Sequence, residues 1–187
     1  MQRLRLSGET SFALLWMLPF TVLGASTTLH HEMWRDELQA WLIALESSSL
    51  RELLHHVAIE RTPAAWHLVL MLLTRFTNRP EAMQVLHLAV ACTTAYLCLR
   101  LAPFTRVQRV LLVFGYFFSY EYLAIARSYS LTTLCLLIAC AAWTRARPMV
   151  GLTAGALFVL SQTLFERNLA ILDFAYDISK FFDCLLE

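Results

Sequence analysis

The chain has 187 residues, of which 58% are hydrophobic and 16% charged, and its mean hydropathy is +0.56. This composition excludes an ordinary soluble domain and predicts an all-α integral membrane protein, a polytopic bundle in which each spanning segment satisfies its own backbone. The net charge of +1, carried on 14 scattered arginines and one lysine, supplies no basic field, so no nucleic-acid partner is expected.

The basic N-terminus MQRLRLSGET precedes an apolar run over residues 11–29 that is long enough to cross a bilayer. Small residues at Ala25, Ser26 and Thr27 also fit a cleaved signal peptide. The run outlasts the usual signal core of about 7 to 15 residues, which favours a first spanning helix with a cytoplasmic N-terminus. Residues 30–81 then form an outer loop, in which Glu32, Asp36, Glu37, Glu46, Glu52 and Glu60 crowd together. Trp34, Leu38, Trp41, Leu42 and Leu45 recur at helical spacing, as do Leu50, Leu53, Leu54 and Val57 after a Ser47-Ser48-Ser49 break. Both stretches predict amphipathic juxtamembrane helices. The apolar run 63–76 would extend about 21 Å as a helix, short of a hydrocarbon core of about 30 Å, so it is expected to lie along the membrane.

Four further spanning helices are predicted over residues 82–165, starting near Ala82, Val107, Tyr122 and Met149. This arrangement, about five spans in all, puts Arg100, Arg106 and Arg109 in one inner loop and Arg145 with Arg147 in another, on the side of Arg3 and Arg5. If 63–76 crossed, both short arginine-rich loops would face outward. Gly151 and Gly155 form a GxxxG pattern that fits a helix-mediated oligomer or a partner subunit. Residues 166–187 put Ile171, Phe174, Ile178, Phe181, Phe182 and Leu185 on one helical face, an amphipathic tail rather than another span.

Several polar residues carry two readings each. Asp36, with Gln39 three residues on, fits a helix N-cap, and Glu37 fits a solvated acid in the first turn. Glu60 and Arg61 read equally as a loop ion pair. Arg127, set among Ala124, Ile125, Ala126 and Tyr129, is costly in a membrane setting and is expected to face a polar cavity. Glu121 is its potential partner, and Tyr120 and Tyr129 are by default interfacial aromatics. His30-His31 and His55-His56 match no compact metal motif, so no metal ligand set is assigned. The five cysteines (Cys92, Cys98, Cys135, Cys140, Cys184) lie mostly in apolar runs without ligand or disulfide spacing.

The order of a first apolar helix, WRDELQAWLIA (34–44), IERTPAAWHLVL (59–70), a helix ending in Arg, and SYEYLAIARSYSL (119–131) resembles the N-terminal half of bacterial GT-C membrane glycosyltransferases. These are related to the protein mannosyltransferase and aminoarabinose transferase families and use polyprenyl-phosphate sugars. The resemblance spans roughly residues 10 to 165 and rests on the Asp-Glu pair after the first helix, a Glu-x-x-Pro and an Ala-Arg-Ser-Tyr motif. It implies a location in the bacterial inner membrane, with the active face outside, and sugar transfer to a lipid, glycan or protein acceptor. Asp36 would be the base or would orient the acceptor, with Glu37 beside it. Arg127, Glu60, Arg61, Glu121 and Tyr129 would contact the donor phosphate or substrate, or Glu121 with Asp36 would hold a divalent cation. At the second motif Arg61 and Thr62 depart from the family's pattern, and relatives continue into many more membrane helices. The chain therefore also fits a truncated or degenerate copy, or a small non-catalytic membrane protein that binds lipid or a partner.

Overall fold

A computed structural model describes residues 2–60 and 64–143, and all regular structure among them is helical. In chain order the elements are α1 (Gln2–His30), α2 (Arg35–Glu46), α3 (Leu50–Glu60), α4 (Ala64–Thr74), α5 (Glu81–Leu101), α6 (Arg106–Val113), a π-helical turn (Phe117–Glu121), α7 (Tyr122–Ala124) and α8 (Ser128–Trp143). Two described helices are long and apolar enough to cross a membrane: the 23 residues Gly8–His30 within α1 and the 21 residues of α5. At about 1.5 Å per residue each exceeds a hydrocarbon core of about 30 Å. The expected span beginning near Met149 and the amphipathic tail lie outside the described residues.

α1 and α5 pack antiparallel. Gly8 lies beside Arg106, just past the end of α5, while Gly24 meets Leu88 near its start. A β-carbon on Gly24 would come within 2.7 Å of Leu88 Cδ1 and 2.8 Å of Leu123 Cδ1, so a larger residue there would have to push these leucine ends aside. The core between them holds Ala13, Phe20, Ala91, Ala95, Cys98, Leu99, Val113 and Leu123. At one end Glu9 accepts hydrogen bonds from Arg106 Nη2 at 2.9 Å and Arg109 Nη1 at 2.7 Å. Arg109 also donates to the carbonyls of Leu99 and Phe104, which ties the α5–α6 turn to α1.

Residues 106–143 depart from the expected pair of uninterrupted helices. Thr105 and Gln108 cap α6 reciprocally, as a capping box does. The helix ends at Val113, and a π-helical turn and the three-residue α7 follow. Ile125 then turns extended, at φ −88° and ψ 107°, and α8 begins only at Ser128, six residues after the position read from the sequence. Gly115 and the polar groups at Glu121 and Arg127 interrupt the apolar pattern at these breaks.

At the opposite end from Glu9, α2, α3 and α4 form a layer over the helix ends. Trp41 and Ala44 of α2 pack with Trp66 and Leu70 of α4, Met83 of α5 and Ala126. Arg75 donates to the carbonyls of Ser47 and Ser48, fastening the far end of α4 to the α2–α3 turn. The eleven residues of α4 extend about 16 Å.

Candidate functional site

The site grows from the start of α2. Residues 31–34 are non-helical, and Trp34 at the N-cap has extended backbone and no side-chain acceptor with which to cap the helix. Glu37, three residues on, supplies the missing acceptor: its Oε2 takes the backbone N–H of Trp34 at 2.7 Å. The helix therefore starts one residue before Asp36, and the expected Asp36 and Gln39 cap gives way to one made by Glu37. Aspartate followed three residues later by glutamine is a sound local signal, but Glu37 gains a partner from another part of the chain that local spacing does not reveal.

That partner is the α7–α8 break. Glu37 Oε1 accepts the backbone N–H of Ala126 at 2.6 Å, and Oε2 also meets His31 Nε2 at 2.9 Å. The Glu37 side chain is 0% exposed and His31 only 10%. Glu37 is thus no solvated acid, which corrects the expectation: both its oxygens are committed inside the protein. A buried carboxylate is tolerated when it is paired and hydrogen-bonded on all sides, and this one satisfies two backbone donors that helix ends leave orphaned.

The other half of the break is satisfied as well. Ser130 Oγ donates to the carbonyl of Tyr122 and lies 3.3 Å from His87 Nε2. Because the single hydroxyl proton of Ser130 goes to Tyr122, the remaining bond requires His87 to donate from Nε2. His87 is buried edge-on to Trp66, and Gln84 donates to the carbonyl of His31. A buried polar layer thus runs from α5 through Ser130 and Glu37 to α2. Sequence reading singled out neither Ser130 nor this use of His31 and His87. Their signal was weak, a serine near the start of one apolar run, a histidine within another and a histidine just after a third.

Above that layer, at the surface, Asp36 meets Arg127. Arg127 Nη1 stands 3.4 Å from Asp36 Oδ2, with the side chains 40% and 58% exposed respectively. The guanidinium also lies over the Tyr129 ring, 5.5 Å from its centroid, an ordinary cation–π distance. The fold brings Asp36, Glu37, Arg127 and Tyr129 together. Glu121 closes the π-helical turn, half-buried, and the ion pair of Arg127 is with Asp36 rather than with it. Tyr120 is exposed and packs near Tyr116. Glu60 is the last residue of α3, and Arg61 lies outside the described residues.

Chemically the surface pair offers a water-facing carboxylate that can accept a proton and a guanidinium whose planar fork suits a phosphate. A divalent cation does not fit as well. Among the described residues no three His, Cys, Asp or Glu side chains converge, and Asp36 is already paired with a cation. Compared with family models, with curated proteins and with solved structures, the chain matches none.

Proposed function

We propose that this chain is a membrane glycosyltransferase of the GT-C type, or the N-terminal part of one. It would move a sugar from a polyprenyl-phosphate donor to a lipid, glycan or protein acceptor on the outer side of the membrane. The observation that carries the reading is the meeting of Asp36 and Arg127: a candidate base and a candidate phosphate ligand, far apart in sequence, share one water-facing end of the helix pair.

A membrane setting is supported by how little of the apolar helices is covered. Leu14, Leu15, Leu18 and Val22 of α1 stand 57–70% exposed, where the core helix of a soluble domain would bury them. On α2 with its N-cap and on α3, Trp34, Leu38, Leu42, Leu50 and Leu54 are exposed beside buried Trp41, Ala44, Leu53 and Val57, a layout that suits helices lying in the interface. The shortness of α4 fits the same layer. Grouping Arg100, Arg106 and Arg109 at the Glu9 end matches a cytoplasmic assignment for that end and leaves Asp36 outside. On this topology the unwound backbone at Ile125–Arg127 is covered by protein, the condition under which irregular backbone is tolerated at a membrane.

In the reaction, the acceptor hydroxyl oxygen attacks the anomeric carbon, the bond from that carbon to the phosphate oxygen breaks, and polyprenyl phosphate departs. Asp36 takes the hydroxyl proton, and Arg127 stabilises the charge gathering on the leaving phosphate. Tyr129 holds the guanidinium from below. No step is assigned to a metal.

The test is transfer of radiolabelled sugar from a polyprenyl-phosphate donor mixture by the purified chain in lipid. Asp36→Asn and Arg127→Ala are each expected to lower the rate about 100-fold or more. Unchanged transfer in either variant would remove that residue from the mechanism. No transfer by a folded parent would leave a non-catalytic helical membrane protein.

A further inference from the structure

In an uninterrupted helix the N–H of Ala126 would bond to the carbonyl of Tyr122, four residues earlier. That single bond is open here, and each half has been taken by a side chain. Glu37 accepts from the Ala126 N–H, and Ser130 donates to the Tyr122 carbonyl. Between them Ile125 is extended, and Arg127 N–H turns back onto the Ile125 carbonyl at 2.8 Å. Beyond them Arg127 reaches Asp36, the residue next to Glu37 on α2.

From this we infer that Glu37 and Ser130 are positioning residues that hold a helix bond open, so that the α7–α8 break presents Arg127 to Asp36. A break of this kind has two discrete states. With Glu37 in place, the Ala126 N–H belongs to α2 and the chain stays bent. Without it, the cheapest acceptor for a buried N–H is the Tyr122 carbonyl, and closing that bond winds residues 125–127 toward helix. Rewinding changes the direction of every side chain in the segment, because about 100° separates neighbours on a helix. Arg127 then leaves the face it shares with Asp36. Glu37 therefore acts through Arg127 and contacts no reacting atom. The consequence for transfer rests on the glycosyltransferase reading, but the held-open bond does not.

The experiment labels Ile125 and Ala126 isotopically in the full chain in lipid nanodiscs and follows the α-carbon shift of Ile125 and the amide of Ala126 by NMR. The parent is expected to show an extended Ile125 and an Ala126 amide shifted downfield by its carboxylate acceptor. In Glu37→Ala the Ile125 shift should move to the helical range. Adding Ala126→Pro to that variant should return it to extended, because proline lacks the N–H and disfavours helix in the residue before it. Ser130→Ala should move Ile125 in the same direction as Glu37→Ala. If Glu37→Ala does not fold, Glu37→Gln serves instead: the Trp34 and Ala126 N–H groups bond different oxygens of Glu37, and glutamine keeps an acceptor at only one of the two places, so at least partial rewinding is expected.

An Ile125 that stays extended in the folded Glu37 and Ser130 variants overturns the inference, as does a helical Ile125 in the parent. Transfer, measured on the same samples, should fall about 100-fold in Glu37→Ala and recover in the double variant. Absent transfer in the parent with the expected shifts would fail the glycosyltransferase reading alone. Normal transfer with an unmoved Ile125 would fail this inference alone.

Discussion

At one end of the α1–α5 pair Glu9 gathers two arginines; at the other Glu37 gathers two backbone N–H groups and a histidine. Both carboxylates join segments far apart in sequence, yet their partners differ in kind. The guanidinium groups at Glu9 sit on long side chains with alternatives within reach, since Arg109 also bonds the carbonyls of Leu99 and Phe104 and the Arg106 side chain is 55% exposed to solvent. A loss there leaves no donor stranded. Two of the partners of Glu37 are main-chain N–H groups that cannot swing to another acceptor as a side chain can, and that of Ala126 is buried. Glu9 fastens the turn after α5, whereas Glu37 dictates where α2 starts and where the helix before α8 stops. Side-chain ion pairs hold elements together, and carboxylate-to-backbone bonds decide their boundaries.

The sharpest way to break this comparison is to remove each carboxylate in turn. Glu37→Ala takes the acceptor from the N–H of Trp34 and the partner from His31, and lets Ala126 find a new acceptor only by rewinding the break out of its packing, so a loss of about 3–5 kcal/mol is expected. Glu9→Ala removes a partly exposed pair and should cost about 1 kcal/mol or less. Denaturant unfolding in micelles measures both. Equal losses would mean that the two ends are held in the same way.

A second way concerns the close approach of α1 to α5 at Gly24, near the start of α5. Gly24→Ala would place a β-carbon against methyl groups of Leu88 and Leu123. Those groups are ends of flexible side chains, so the leucines should turn aside at a cost of about 1–2 kcal/mol. Because Leu123 belongs to α7, the disturbance should travel toward the break rather than toward Glu9. The Ala126 amide should therefore shift in this variant, while the Arg109 side-chain resonances stay in place. The reverse pattern would show that the Glu37 end is the stiffer of the two.

Much of the helical layout was legible in the sequence because it depends on local composition. The apolar run 11–29 lies within α1, the run starting at Ala82 became α5, and the short run 63–76 contains α4. The interruptions after Arg106 were not legible: hydropathy registers Leu, Val and Phe alike whether the backbone is α-helical, π-helical or extended. Arg127 could be singled out as an ionisable group among apolar neighbours, and Asp36 as one of an acidic pair after the first apolar run. Glu37 could not be assigned its place, because a carboxylate in a first helical turn is ordinary and its decisive partner, the Ala126 N–H, carries no side-chain signature. Ser130 escaped notice for the same reason, since a serine bonded to a main-chain carbonyl looks like any serine.

The smallest effect comes from a near copy of the Glu37 cap that lies in water. At the start of α3, Glu52 Oε2 accepts the backbone N–H of Ser48 at 2.8 Å and its hydroxyl at 2.7 Å, much as Glu37 Oε2 accepts that of Trp34. The Ser48 hydroxyl bond, aided by the Ser48 and Ser49 backbone and by His56, holds the Glu52 carboxyl below its ordinary value of 4.5. A carboxyl lowered in the folded state adds stability that is complete above 4.5 and is lost as pH falls through the lowered value. The first turn of α3 should therefore loosen on acidification without disturbing the rest of the fold, because water replaces every bond that Glu52 gives up. The Ser48 amide resonance should follow this titration and cease to do so in Glu52→Gln. A Ser48 amide that does not titrate would mean that the surface cap is not formed in solution. A Glu52→Gln loss as large as that of Glu37→Ala would mean that burial is not what separates the two caps.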